Sequence, residues 1–165
     1  MLLGMSFAMF TAVHVAISLV GIAAGLVAVG AMLAGQWLGG WTGVFLIFTA
    51  LTSLTGYVFP ASAVTPAHIV GALTLVAVVV AGFALYARRL EGGWRNVYVA
   101  SALASLYFNC FVGLVQTFQK QPALAELAPT QSELPFAIAQ GAMLLSFVAV
   151  GAMVARRFRR FHPLA

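Results

Sequence analysis

His14 and His68 are the side chains in this sequence best placed to do chemistry. They are the two that titrate near neutral pH inside long apolar runs. An ionisable group at membrane depth points to function by default, because an uncompensated charge there is costly. Neutral imidazole is also a metal ligand. Two histidines at similar depth on different helices could be the axial ligands of one haem b. The propionates would then want a cation, and Lys120 lies on the correct side. A zinc site wants three or four protein ligands, and only Glu133 could be added to the two histidines. The competing readings are a quinone, other small-molecule or proton-handling site, and a pair of interhelical hydrogen bonds with no ligand.

Other polar residues recur at helical spacing. Thr11, His14, Ser18, Gly21, Gly25 and Ala28 fall on one face, and Gly21-xxx-Gly25 is a close-packing signature. Ser101, Ser105, Asn109, Gly113 and Gln116 form a second stripe, and Thr49, Thr52, Ser53 and Gly56 a third. For Ser, Thr and Gly the plain reading is helix packing and backbone hydrogen bonding. Asn109 and Gln116 ask for more, because a buried amide needs partners for both its oxygen and its nitrogen. Cys110 reads as a packed core thiol, and as the single cysteine it excludes an internal disulfide or a CxxC site.

The elements that carry these residues cannot belong to a water-soluble fold. Hydrophobic residues make up 63% of the 165 and charged residues 7%, with no Lys, Arg, Asp or Glu before Arg88. A soluble chain has roughly 25% charged residues. Breakers at Gly39-Gly40, Pro60, Pro66, Arg88-Arg89 and Pro135 divide the chain into apolar segments. The expected fold is all-α, a polytopic membrane protein with a bundle of five transmembrane helices at about residues 5–35, 41–59, 66–88, 95–119 and 135–156. Barrel strands would alternate over about 10 residues, which these continuous runs do not. The N-terminal run lacks a basic n-region, so it reads as the first span and not a cleaved signal. Thr65-Pro66 reads as an N-cap followed by proline in the first turn, which opens the third helix just before His68.

Seven of the eight Lys/Arg residues fall on one side: Arg88, Arg89, Arg95, Arg156, Arg157, Arg159 and Arg160. Lys120 is alone on the other. The basic side is expected to be cytoplasmic, with an external N-terminus and a cytoplasmic C-terminus. Trp37, Trp41 and Trp94 then form an interfacial belt at cytoplasmic helix ends. The basic tail reads as a topology anchor, so no nucleic acid is expected as a partner, and His162 beyond it reads as solvated. His14, Thr52–Tyr57, His68, Gln116, Gln119 and Gln140 all land in the external half, beneath a loop at 120–134. Within that loop Thr130-Gln131-Ser132-Glu133 matches a capping box, with Ser132 and Pro135 as an alternative helix start.

The stretch FNCFVGLVQTFQKQPALAELAPTQSELPF, residues 108–136, resembles a segment of small bacterial inner-membrane proteins of unassigned activity. The resemblance implies the bacterial cytoplasmic membrane and carries no catalytic residues with it. A single histidine pair allows at most a one-haem relative of the cytochrome b561 type, and the end-located tryptophans separate the chain from the tryptophan-rich porphyrin-binding sensory proteins. The spans hold no nucleophile–base–acid set, so a hydrolase is not expected. The functional expectation is a small membrane binding protein. Its pocket would draw on His14, His68, Asn109, Gln116, Lys120 and Gln140, with haem b as the sharpest candidate ligand. The alternative is a structural or accessory subunit that packs in the bilayer against its own copies or a larger complex.

Overall fold

The computed structural model describes residues 4–158, and every regular element in it is a helix. The tail positions Arg159, Arg160 and His162 lie outside the described residues. α1 spans Phe7–Leu33, α2 Gly39–Gly56, α3 Pro66–Gly82, α4 Trp94–Lys120, α5 Pro122–Leu127 and α6 Leu134–Phe158. Ser6 starts α1 by accepting the Met9 amide, and Gly35 at φ 72° ends it in a conformation that favours glycine. Thr65 starts α3 as its sequence suggests, with Pro66 in the first turn.

α3 does not stop at Gly82. It continues as a π turn, Phe83–Ala87, in which the Arg88 amide reaches back to the Phe83 carbonyl at 3.0 Å. Arg89 (φ 47°) and Leu90 (φ 59°) then close the helix in the left-handed region. That backbone is uncommon for non-glycine residues. It is fixed by Leu90, which is 1% exposed and whose amide bonds the Ala84 carbonyl at 3.0 Å.

Four helices are long and apolar enough to cross a membrane: Phe7–Leu33, Pro66–Ala87, Trp94–Lys120 and Leu134–Arg157. The expected fifth, α2, has 18 residues, or about 27 Å at 1.5 Å per residue, against about 30 Å of hydrocarbon. Four glycines and five Thr/Ser residues also dilute its apolar content.

α1 and α2 form the closest pair. A Cβ on Gly21 would stand 3.4 Å from the Phe48 backbone, and one on Gly25 only 2.6 Å from Leu106 and 2.8 Å from Phe45. The expectation that both glycines sit at a tight helix–helix contact therefore holds. α4 runs through the middle, in contact with every other helix.

The buried apolar core is not centred. Its members are Ala24, Val29 and Met32 of α1, Phe45 and Leu46 of α2, Val78 to Leu90, Tyr98 to Leu106 of α4, and Val154 of α6. Every one lies in the half of its helix toward the arginine end. The opposite half has a small cluster, Phe118, Ala128 and Phe136, and the buried Phe10 of α1. There α3 buries nothing before Thr74, and α6 buries nothing between Phe136 and Val154. The bundle is drawn tight at the arginine end and open at the Lys120 end.

Candidate functional site at the Lys120 end

The end of α2 organises the open half. His14, about two turns into α1, places Nδ1 2.7 Å from the Thr55 hydroxyl oxygen. Thr55 donates its own hydroxyl proton to the Leu51 carbonyl, also at 2.7 Å. The oxygen is thus left to accept, so the network assigns the proton to Nδ1 of His14 and the lone pair to Nε2. Phe59 meets the imidazole edge to face at 5.1 Å and packs on Phe10 at 5.0 Å and Phe7 at 5.8 Å.

His68 has the opposite tautomer. It is the third residue of α3, and its Nδ1 accepts the Thr65 backbone amide at 3.1 Å while Thr65 Oγ1 accepts the His68 amide. This is a capping box with histidine where Glu or Gln usually stands. An amide can only donate, so Nδ1 carries the lone pair and neutral His68 keeps its proton on Nε2. Tyr57 stacks on the ring at 5.3 Å and donates its hydroxyl to the His68 carbonyl at 2.6 Å. A groove of 420 Å³ opens beside this pair, lined by Tyr57, Ala61, Ala63, Val64, His68, Ile69 and Ala72. His14 is not among its lining residues. Thr55 and Tyr57 are two positions apart, roughly 200° around a helix, so the two histidines meet different sides of α2.

The other expected site residues are dispersed. Asn109 is 7% exposed and donates to Thr49 at 3.1 Å, joining α4 to α2 in mid-bundle, away from the groove. Gln116 and Lys120 are exposed on the last turns of α4. Gln140 is half-buried on α6. Tyr57 and Thr55 are the partners the sequence reading left unassigned; the signal for them was a Tyr57–Phe59 aromatic pair at the end of a threonine-rich helix.

Glu133 closes the loop and not the first turn of α6. Its Oε1 accepts the Thr130 amide at 3.1 Å and hydroxyl at 2.8 Å, and Oε2 accepts the Ser132 amide at 3.1 Å. The helix begins afterwards, with the Glu133 carbonyl accepting the Ala137 amide. Desolvation is the largest single influence and raises the Glu133 carboxyl, but the hydrogen bonds together outweigh it and hold it below its ordinary value. Among the described residues no three His, Cys, Asp or Glu gather into a metal site.

Nothing among the described residues shows a haem b site at this pair. Iron ligation needs an unprotonated nitrogen, and His68 already commits its lone pair to the Thr65 amide. Ligation through Nε2 would move the proton to Nδ1 and set it against that amide. The chain matches no protein-family model, no curated protein and no solved structure.

Proposed function

We propose that the chain is an integral membrane binding protein with five transmembrane helices, α2 included, that takes a small, mostly apolar molecule at its Lys120 end. The observation that carries this is the His68 groove. Its wall is built from small apolar side chains, one aromatic face and a single oriented imidazole whose Nε2–H is a donor. Such a wall suits an apolar body bearing one hydrogen-bond acceptor, as in a quinone or a lipid ester carbonyl. The loose packing of α3 and α6 in the same half gives a ligand entry from the bilayer. His14, with its lone pair on Nε2, is a proton acceptor at the same end but on another side of α2, and it supports a proton-handling role separate from that groove. The basic end faces the cytoplasm by the positive-inside rule, and a bacterial inner membrane fits that arrangement.

A quinone with a short tail, titrated into the detergent-purified protein by calorimetry, tests the reading. His68→Glu keeps the capping box, because a carboxylate can accept the Thr65 amide, but removes the donor. Binding to the native protein that is lost in this variant supports the site. Equal binding by both, or none by either, would defeat it.

One observation favours a second reading, an accessory subunit. Only 6% of the apolar stretch of α6 is buried, against 44% for α4. In that case α6 is the face that meets a partner, and crosslinks from α6 would identify it.

A further inference from the structure

The arginine end holds a second groove, of 430 Å³, that the function proposed above does not use. It lies between the α1–α2 connection and the π turn, and its wall is Trp37, Gly39, Leu85, Tyr86 and Arg89. We propose that it binds the headgroup of an anionic phospholipid, with the phosphate at Arg89 and the glycerol and upper acyl chain along Tyr86 and Leu85.

The local structure aims Arg89 at this place. The π turn and the left-handed backbone of Arg89 and Leu90 stand where this segment shares a groove wall with Trp37 and with Gly39 of α2. Buried Leu90 holds that conformation. Its neighbour Arg88 is engaged elsewhere, over the Trp94 ring at 5.0 Å. Residues held in uncommon backbone regions concentrate at working sites, as do single π turns in helices. The wall has the two chemistries a headgroup needs: a guanidinium for phosphate, and amphipathic rings, Trp37 and Tyr86, of the kind that settle where headgroups meet hydrocarbon. Tyr86 is 67% exposed, so its ring is open to such a neighbour. Arg156 lies at the same end but outside the groove wall, so it serves as a control for the general charge of that face.

The test uses the full chain with Trp41→Phe and Trp94→Phe, which leaves Trp37 as the sole tryptophan, in vesicles of phosphatidylcholine and phosphatidylglycerol. Brominated acyl chains on one lipid or the other report which of them touches Trp37. Phosphatidylglycerol should be preferred about five-fold, the effect of roughly one cation near a membrane surface. Arg89→Gln should bring the two lipids to parity. Gly39→Val, whose Cβ would stand 3.3 Å from the Trp37 indole nitrogen, should do the same by filling the groove. Arg156→Gln should leave the preference in place. Equal quenching by both lipids in the native background would overturn the proposal, as would a preference that survives both groove variants or falls equally with Arg156→Gln. Inorganic phosphate that abolishes the preference would assign the groove to a free anion and overturn the lipid.

Discussion

The imidazole of His14 donates through Nδ1 to the Thr55 hydroxyl, 2.7 Å away on the neighbouring helix. That single contact fixes which nitrogen of His14 is free to take a proton, and it joins α1 to α2 at the loosely packed end. Thr55→Val keeps the shape and removes the acceptor. It should cost about 1 kcal/mol of stability and release the tautomer. Nitrogen chemical shifts of the His14 ring would show the change; unaltered shifts would contradict the assigned network.

The start of α3 depends on Thr65. Thr65→Ala should cost about 1 kcal/mol and lower the melting temperature, because the His68 amide then loses the Thr65 hydroxyl and keeps the Thr65 carbonyl. Thr65→Ser should be close to neutral. A melting temperature unaffected by the alanine would show that the cap is dispensable.

Gly25 and Gly30 make a matched pair on α1. An added Cβ at Gly25 meets Leu106 at 2.6 Å and Phe45 at 2.8 Å, whereas one at Gly30 meets nothing within 4 Å. Gly25→Ala should destabilise by about 1–3 kcal/mol through overpacking. Gly30→Ala should be neutral or mildly stabilising, by up to about 1 kcal/mol. Chemical denaturation in detergent separates the two, and equal effects would mean that the contact at Gly25 relaxes freely.

The loop between α5 and α6 should loosen in acid. Hydrogen bonds hold the Glu133 carboxyl below its ordinary value in the folded protein. Its contribution is therefore complete above the ordinary carboxylate range and is lost as the pH falls through the lowered folded value. Amide exchange at Thr130 and Ser132, corrected for the intrinsic pH dependence, should rise over that window. Glu133→Gln should flatten the response.

Cysteine labelling in a Cys110→Ala background checks the orientation and α2 together. A cysteine at Gln36 should react from the same side as one at Arg88, and a cysteine at Ala61 from the same side as one at Gln121. Labelling of Gln36 and Ala61 from one face would remove α2 from the set of spans.

Much of the architecture was legible from charge and hydropathy. Eighty-seven residues without Lys, Arg, Asp or Glu leave little but apolar helices, and the Thr65-Pro66 start and the Gly21–Gly25 contact follow from local rules. The π turn was not legible, since nothing in Phe83–Ala87 distinguishes it from the α-helix it extends. The six-residue α5 was hidden because Pro122 can open a helix as well as interrupt one. Thr130–Glu133 has the spacing of a capping box, but the actual helix begins at Leu134. For the site, helical periodicity turned His14 inward correctly, but no periodicity reports which ring nitrogen is bonded. That depended on Thr55 and on the Thr65 amide, partners from another helix and from the backbone. Depth grouped Gln116, Lys120 and Gln140 with the histidines, because depth says nothing about which side of a helix a residue faces.

A bundle tied at one end has a gradient of stiffness along its length. Near the arginines, any tilt of α3 or α6 is resisted at once by Ala81, Ala84 and Val154, each with no exposed surface. Toward Lys120 the same two helices rest on fewer contacts, the Tyr57–His68 pair for α3 and the Phe118–Phe136 cluster for α6, so displacement is resisted less there. Amide exchange should quicken steadily from one membrane face to the other. Bilayer thickness or lateral pressure that acts on these lightly held ends would then alter the width of the His68 groove without disturbing the core.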